Sequence, residues 1–404
     1  MGRGARRALA VAAGVAGLLA ICVAGVFAHR ALIAFVQPKA ASIAPARPPS
    51  GGGAGSVRTG GPGSAAAGRL GAGSSPGGSA SEPLDDGGVA ARVDPGLVDI
   101  DTVIDYGQAE AAGTGMVLTP SGEVLTNNHV VEGASTINVT DVGNGQTYPA
   151  TVVGYSVNSD VAVLQLAGAS GLQTVTTAGA APWVGEQVVG IGNAGGVGGT
   201  PSYAGGTVTA TGQTITASDE LTGSQEQLIG MIETDADIQA GDSGGPLVNG
   251  SGQVLGMDTA GSQYIQIASE AQGGGFAIPI ATATAIVSEI LRGSSSNSVH
   301  VGPTAFLGIL VAGSDGGGPG GLGPGSGSGV PIAAVISGLP AADAGLAEGD
   351  VITSVGGYTV STQPGLEQLM MTDFWPGEVV TVQFTDDAGQ PQSVTLALAS
   401  GPPF

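Results

Sequence analysis

Basic side chains all but disappear from this chain after residue 92. Nine of its ten Lys and Arg precede residue 93, Arg292 is the tenth, and 29 of the 32 acidic residues follow, so the body carries a formal charge of −28. A field of that sign repels nucleic acid and anionic lipid headgroups, which argues against both as partners of the body, and it also favours solubility. Cysteine is nearly missing too. The single copy, Cys22, sits inside an apolar run, so no disulfide staples the body and its stability must come from packing. Histidine is scarce: positions 29, 129 and 300 are far apart and no Cys/His cluster has metal-ligand spacing. No metal and no cofactor are expected. Long apolar runs are absent with one exception.

That exception follows Arg3, Arg6 and Arg7 and extends without interruption from Ala8 to Ala28. A run of about 21 residues crosses a bilayer as a helix and exceeds the usual signal-peptide core of about 7–15. Residues 1–40 therefore read either as a transmembrane anchor with its basic end in the cytoplasm or as a signal segment cleaved near Val26-Phe27-Ala28 or after Lys39. The anchor is the preferred reading. Either fate puts the body outside the cytoplasm, as a single-pass envelope protein or a secreted one. Residues 41–96 are rich in Gly, Ser, Ala and Pro with scattered Arg and show no apolar periodicity, the composition of a disordered linker.

Near Leu97 the texture changes to short β-rich runs with frequent turn signals. Gly115–Leu118, Thr119–Gly122 and Glu123–Thr126 read as strand, turn and strand, and Thr136–Val139, Tyr148–Tyr155 and Val161–Leu166 as further strands. Many short strands without long helices predict a barrel. Within this β-rich body Gly241-Asp242-Ser243-Gly244-Gly245-Pro246-Leu247 has the chemistry of a serine nucleophile in an oxyanion cradle. A serine hydroxyl attacks an amide only if a base takes its proton and fixed donors hold the developing negative oxygen. Gly241 can leave its own N–H and that of Ser243 aimed at one point. His129, in Thr126-Asn127-Asn128-His129-Val130, ends a strand, and Asp160, in Ser159-Asp160-Val161, begins one. His29 abuts the apolar run and His300 lies in a Ser/Asn-rich linker, which leaves His129 as the candidate base.

Residues 110–292 resemble the trypsin-like serine proteases of the HtrA/Deg type. The matching pieces are Gly113-Thr114-Gly115, Leu125 to Val130, Ser159 to Leu164, Gly241 to Pro246 and Gly275-Phe276-Ala277-Ile278-Pro279, in the family's order. The resemblance implies a chymotrypsin-like double β-barrel over 97–293, with His129 and Asp160 on the first barrel, Ser243 on the second, and Gly241 and Ser243 supplying the oxyanion hole. It implies a second barrel from Glu186–Gly192, Gly206–Thr211, Leu228–Thr234, Leu247–Val248 and Val254–Asp258, closed by a helix over Ala281–Arg292 with Ile286, Val287, Ile290 and Leu291 on its apolar face. Asp237, Ile238, Thr259 and Gly275 become candidates for the specificity pocket. Asp237 at its floor would select Arg or Lys; Ile238 in its lining, with Asp237 turned aside, would select an apolar residue. Asp242 stands where Deg proteases commonly carry Asn, and no activation sequence precedes the domain to supply it with a new amino terminus. Its partner is left open.

After a polar linker, Gly338 to Ile352 resembles the helix-and-turn hallmark of a Deg-type PDZ domain, which implies such a domain over 303–404. Phe306, Leu307, Gly308 and Ile309 would then form the carboxylate-binding loop and edge strand, with the groove helix over Gln363–Met371. Gly313 to Gly329 is a Gly/Pro/Ser insertion, and basic residues near the groove are missing. The implied partners are protein or peptide substrates, C-terminal peptides at the PDZ domain, the membrane through the N-terminal helix, and other copies of the chain. Two functions stay in view: an extracytoplasmic serine endopeptidase acting on unfolded or damaged proteins, and a PDZ-led binding or chaperone protein with a latent protease centre.

Overall fold

The computed structural model describes residues 83–404 apart from 105, 108, 219–224, 262–264, 267–273 and 312–328. The apolar run, the linker up to residue 82 and nearly all of the Gly/Pro/Ser insertion lie outside the described residues. Among those described, no helix is long and apolar enough to cross a membrane.

The first barrel is built from β1 (Leu97–Ile104), β2 (Ala109–Val117), β3 (Glu123–Thr126), β4 (Ala134–Asp141), β5 (Thr147–Ser156) and β6 (Val161–Leu166). They follow the order β5-β4-β1-β2-β3-β6, and β5 pairs with β6 to close the ring. Side chains on a strand alternate between faces. In β6 Ala162 and Leu164 point into the barrel with Val98, Ile100 and Val124, while Val161 and Val163 join a different cluster with Val189, Ile191 and Met257 of the second barrel. Both faces of β6 are thus covered over Val161–Leu164, which explains the apolar run there.

A second closed ring uses the strands Gln187–Gly192, Ser202–Ser218, Gln225–Thr234, Pro246–Asn249, Gln253–Gly261 and Gly275–Pro279. The closing helix runs over Ile280–Leu291. Ile280, Ala283, Val287 and Ile290 form its buried face, and Ile286 packs at the margin. Leu291, expected on that face, is instead 44 % exposed. Its place one residue after Ile290 rotates it about 100° off the apolar stripe.

The expected linker is also cut short. Residues 86–93 form a helix, α1 (Asp86–Val93), whose start is capped by Asp85 Oδ1 accepting the Gly88 N–H at 3.1 Å. Val89, Ala90 and Val93 fall on one side of α1 and are buried in the core shared by the barrels. Arg92 donates to the Gly250 carbonyl at 3.1 Å. Two adjacent glycines and a short length hide this helix from a periodicity reading.

The C-terminal unit has the strand order Ile309–Val311, Val330–Val335, Val351–Val355, Val379–Thr385, Pro391–Ala397, with Thr304–Phe306 paired to Ala399–Gly401. Its groove helix spans Gln363–Thr372 and is capped by Thr362. It keeps its own core around Ile332, Ile352, Val382 and Leu366. Polar contacts join it to the first barrel. Gly133 N–H donates to Pro403 O at 2.9 Å, Asn128 Nδ2 to Phe404 O at 3.0 Å, and His300 Nδ1 to Met371 O at 2.9 Å.

If α1 belongs to the cooperative core, the double substitution Val89→Ala/Val93→Ala lowers the unfolding free energy by about 3 kcal/mol, since each truncation removes buried methyl groups and leaves a cavity. Urea unfolding measures it; an unchanged midpoint would place α1 outside the core.

Candidate active site

The pairing of β3 with β6 decides where the first two residues meet. The strands are antiparallel with Thr126 opposite Ala162, so the chain leaving β3 and the chain entering β6 lie side by side. His129 follows the first and Asp160 precedes the second. Both Asp160 oxygens reach His129 Nδ1, at 3.0 and 2.9 Å, and Oδ1 also accepts the His129 backbone N–H at 3.1 Å. A carboxylate can only accept, so Nδ1 carries the hydrogen, and in the neutral ring Nε2 is the acceptor nitrogen. The His129 side chain is 30 % exposed and that of Asp160 2 %. His129 therefore reaches solvent while Asp160 behind it does not. Asp160 holds φ +51°, a left-handed conformation uncommon for a residue with a side chain, and Asn127 Nδ2 donates to its carbonyl at 2.9 Å.

Ser243 arrives from the second barrel on the turn before Pro246–Asn249. That strand and Gln253–Gly261 form a hairpin, which two bonds extend beyond Pro246: Asp258 N–H to Gly245 O and Gly244 N–H to Asp258 O, each at 2.8 Å. The extension sets Ser243 beside Thr259. Ser243 Oγ donates to the Thr259 carbonyl at 3.1 Å, while Thr259 Oγ1 donates to Asp160 Oδ2. One residue thus ties Ser243 of one barrel to Asp160 and His129 of the other.

The cradle is fixed from the first barrel as well. Thr114 N–H donates to Ser243 O and Thr114 Oγ1 to Gly241 O, both at 2.8 Å. Holding those two carbonyls away from the site leaves the N–H groups of Gly241 and Ser243 without a partner among the described residues. Unpaired, preorganised donors beside a serine suit a developing oxyanion. Gly241 has φ +94° and a Cβ there would lie 2.2 Å from Asn193 O. Gly244 has φ +86° and a Cβ would meet Thr114 O at 2.0 Å. Both positions require glycine.

Two carboxyls lie beneath the cradle. Asp242 accepts the Gln239 N–H at 2.9 Å and faces Ser202 Oγ at 3.5 Å. This answers the question of its partner: it caps the turn that carries the nucleophile, and no cation pairs with it among the described residues. Burial pushes its carboxyl up to about 6 against the pull of those two donors, and the charge of Asp237 adds to the rise. Asp258 is fully buried with neither oxygen hydrogen-bonded, and burial together with the Asp242 charge holds it well above the carboxylate range.

The pocket candidates separate. Ile238 is buried, 3 % exposed, against Gly190. Asp237 is turned to solvent, where it accepts Gln239 Nε2 at 3.0 Å. Thr259 bridges the two barrels as above, and Gly275 pairs with Thr234 and Gly261. In the C-terminal unit Phe306, Leu307 and Ile309 line a small groove with Leu366 and Met370, while Gly308, at φ +87°, lies against Leu339 and turns the chain between them. Thr114, Asn127 and Asp258 escaped the residue-by-residue reading. Thr114 and Asn127 left a signal through their places in Gly113-Thr114-Gly115 and in Leu125 to Val130.

Residues 113–257 match the trypsin-like peptidase domain and residues 305–398 the PDZ domain. The fold and site therefore define a trypsin-like peptidase unit followed by a PDZ unit. Serine endoprotease DegS of Escherichia coli K12 is 31 % identical over 280 residues, covering 69 % of this chain and 74 % of DegS. Serine protease PepD of Mycobacterium tuberculosis is 31 % identical over 326 residues, covering 77 % of this chain and 65 % of PepD. Putative serine protease HhoB of Synechocystis is 36 % identical over 267 residues, covering 64 % of this chain and 60 % of HhoB. The chain thus spans somewhat less than two thirds of the length of PepD and HhoB. It belongs to the HtrA-type serine proteases with a C-terminal PDZ domain.

The buried carboxyls predict an acid-stabilised fold. Asp242 and Asp258 hold their protons at a pH where the unfolded chain, with an ordinary carboxyl near 3.8, has lost them. The folded state then binds more protons than the unfolded state, and stability falls as pH rises from about 4 through about 6 and above. The urea midpoint is expected to be higher at pH 5 than at pH 7, and Asp258→Asn to raise the pH 7 value and flatten the dependence. A midpoint that climbs between pH 5 and pH 7 would contradict this.

Proposed function

We propose that the chain is a serine endopeptidase that hydrolyses peptide bonds in proteins through Ser243, His129 and Asp160. The observation that carries this reading is the Asp160 carboxylate, which accepts from His129 Nδ1 on one side and from Thr259 Oγ1, the residue beside Ser243, on the other. His129 Nε2 takes the hydroxyl proton as Ser243 Oγ attacks the substrate carbonyl. The oxyanion that forms is held by the N–H groups of Gly241 and Ser243, each contributing about 3 kcal/mol to the transition state. His129 then gives its proton to the departing amine, and a water repeats the sequence in reverse to free the acid product. Asp160 keeps Nδ1–H in place and stabilises the imidazolium.

Exposure of Asp237 and burial of Ile238 support an apolar residue on the acyl side of the cut bond, because an acid turned to solvent cannot line the pocket floor. The groove at Phe306, Leu307 and Ile309 supports capture of apolar peptide ends by the PDZ unit. Unfolded proteins, which expose both features, are the proposed substrates. The apolar run from Ala8 to Ala28 supports an envelope location with the body outside the cytoplasm, and one relative carries the description of a probable periplasmic endoprotease.

One observation favours a second reading, a PDZ-led binding protein whose centre rests latent: the Ser243 hydroxyl proton is directed at the Thr259 carbonyl. Digestion of an unfolded protein with mass-spectrometric mapping of the cuts separates the two. The endopeptidase reading predicts internal cuts mainly after apolar residues and a fall of about 10⁶ in turnover for Ser243→Ala. Cuts confined to Arg and Lys would overturn the pocket assignment, and equal products from wild type and Ser243→Ala would overturn the enzyme.

A further inference from the structure

The Gly241 N–H belongs to the peptide unit that carries the Ala240 carbonyl, and Gly195 N–H donates to that carbonyl at 2.7 Å. A peptide unit is planar and trans, so its C=O and N–H point in opposite directions. The bond from Gly195 therefore fixes the direction of the Gly241 N–H. Gly241, at φ +94° and without a side chain, leaves that direction free on its own account. The two segments lie close together: a Cβ on Gly241 would be 2.9 Å from Gly196 N and 3.0 Å from Gly195 N.

Gly195 sits in the connection 193–199, between the strands Gln187–Gly192 and Ser202–Ser218. Gly195, Gly196, Gly198 and Gly199 have φ of +74°, +63°, +69° and +96°. A run with glycine at four of five successive positions has little stiffness of its own, so its placement depends on bonds to its surroundings. Within it, Asn193 O accepts the Gly196 N–H at 2.8 Å and Asn193 Oδ1 the Gly198 N–H at 2.7 Å. Two further anchors come from the first barrel. Thr114 Oγ1 accepts the Asn193 N–H at 2.8 Å, and Asp99 Oδ2 accepts the Gly199 N–H at 3.0 Å. Asp99 and Thr114 stand opposite each other in the register of β1 and β2, so one pair of strands holds both ends of the connection. Asp99 is 4 % exposed, and a carboxylate so far from water is costly without a donor. Burial raises its carboxyl above the usual range, the Gly199 N–H pulls it back, and the Asp101 charge adds to the rise.

We infer that Asp99 is a positioning residue for the proposed hydrolysis: through Gly199 it holds the 193–199 connection against the nucleophile turn, and through Gly195 that connection keeps the Gly241 N–H aimed at the oxyanion. The inference rests on the endopeptidase reading and adds to it a residue of the first barrel that acts only through the loop it holds.

Hydrolysis of fluorescein-labelled casein by the full chain tests this with three variants. Asp99→Ala removes the acceptor, Asp99→Asn keeps an acceptor oxygen without the charge, and Asp101→Ala removes an exposed acid of the same strand. Asp99→Ala should lower kcat at least about tenfold with KM within about twofold of wild type, the pattern of an interaction made only in the transition state. Asp99→Asn should keep kcat within about threefold of wild type and Asp101→Ala within about twofold. An unchanged kcat in Asp99→Ala, a rise in KM alone, or a loss in Asp99→Asn or Asp101→Ala equal to that in Asp99→Ala overturns the proposal while the endopeptidase reading stands. Hydrolysis by wild type no faster than by Ser243→Ala overturns the reading and the proposal together. Amide hydrogen exchange on the wild type requires no variant to fold. The Gly195 and Gly199 amides should exchange at least about 100-fold more slowly than in an unstructured peptide, and unslowed exchange at either overturns the proposal.

Discussion

The Asp160 carboxylate is the contact on which the rest of the site depends. It is almost wholly removed from water, where an acceptor without donors would be destabilising. Three donors meet it: His129 Nδ1, the His129 backbone N–H and Thr259 Oγ1. The first two fix His129, and the third comes from the other barrel. A cleft between two barrels is a seam that could slide. A buried acceptor satisfied from both sides resists sliding, because parting the barrels would strip it of a donor. The same seam is packed by Val161 and Val163 against Val189 and Ile191, so apolar burial sets the distance and the carboxylate sets the register.

The nucleophile loop shows the opposite balance. Gly241 and Gly244 occupy left-handed conformations, and the N–H groups of Gly241 and Ser243 have no partner among the described residues. Asp242 and Asp258 add carboxyls below the loop that burial makes reluctant to ionise. These features weaken the fold where the chemistry occurs, and the surrounding apolar cores offset them. Thr114 is the restraint that holds this loop from the neighbouring barrel, through the carbonyls of Gly241 and Ser243.

Much of this was legible before any coordinates. β6 was readable because Val161 to Leu164 is an apolar run with β-branched Val161 and Val163, and the barrels because turn signals recur at strand intervals. His129, Asp160 and Ser243 stood out in the sequence through chemistry, since each is a residue type with few other uses in its context. What escaped was cooperative. Thr259 suggested a pocket wall in the sequence, and its role as a bridge depends on a hairpin register that one residue cannot reveal. α1 escaped because Gly87 and Gly88 weaken its propensity, and it exists through the burial of Val89, Ala90 and Val93. Leu291 was misassigned by one position of helical phase. The two readings of Asp237 could not be separated by composition, since they differ only in which way a side chain turns.

The central claim is that one buried acid, supplied with donors from both barrels, makes Ser243 a nucleophile. Labelling with a fluorophosphonate followed by peptide mass spectrometry addresses it most directly, because the reagent reacts only with an activated serine. The account predicts modification of the wild type at Ser243 alone and a rate about 10⁴ lower in Asp160→Asn, whose amide can present a donor to Nδ1 and reverse the tautomer, with the folded structure retained. Equal labelling rates in wild type and Asp160→Asn, or modification at a serine other than Ser243, would contradict it.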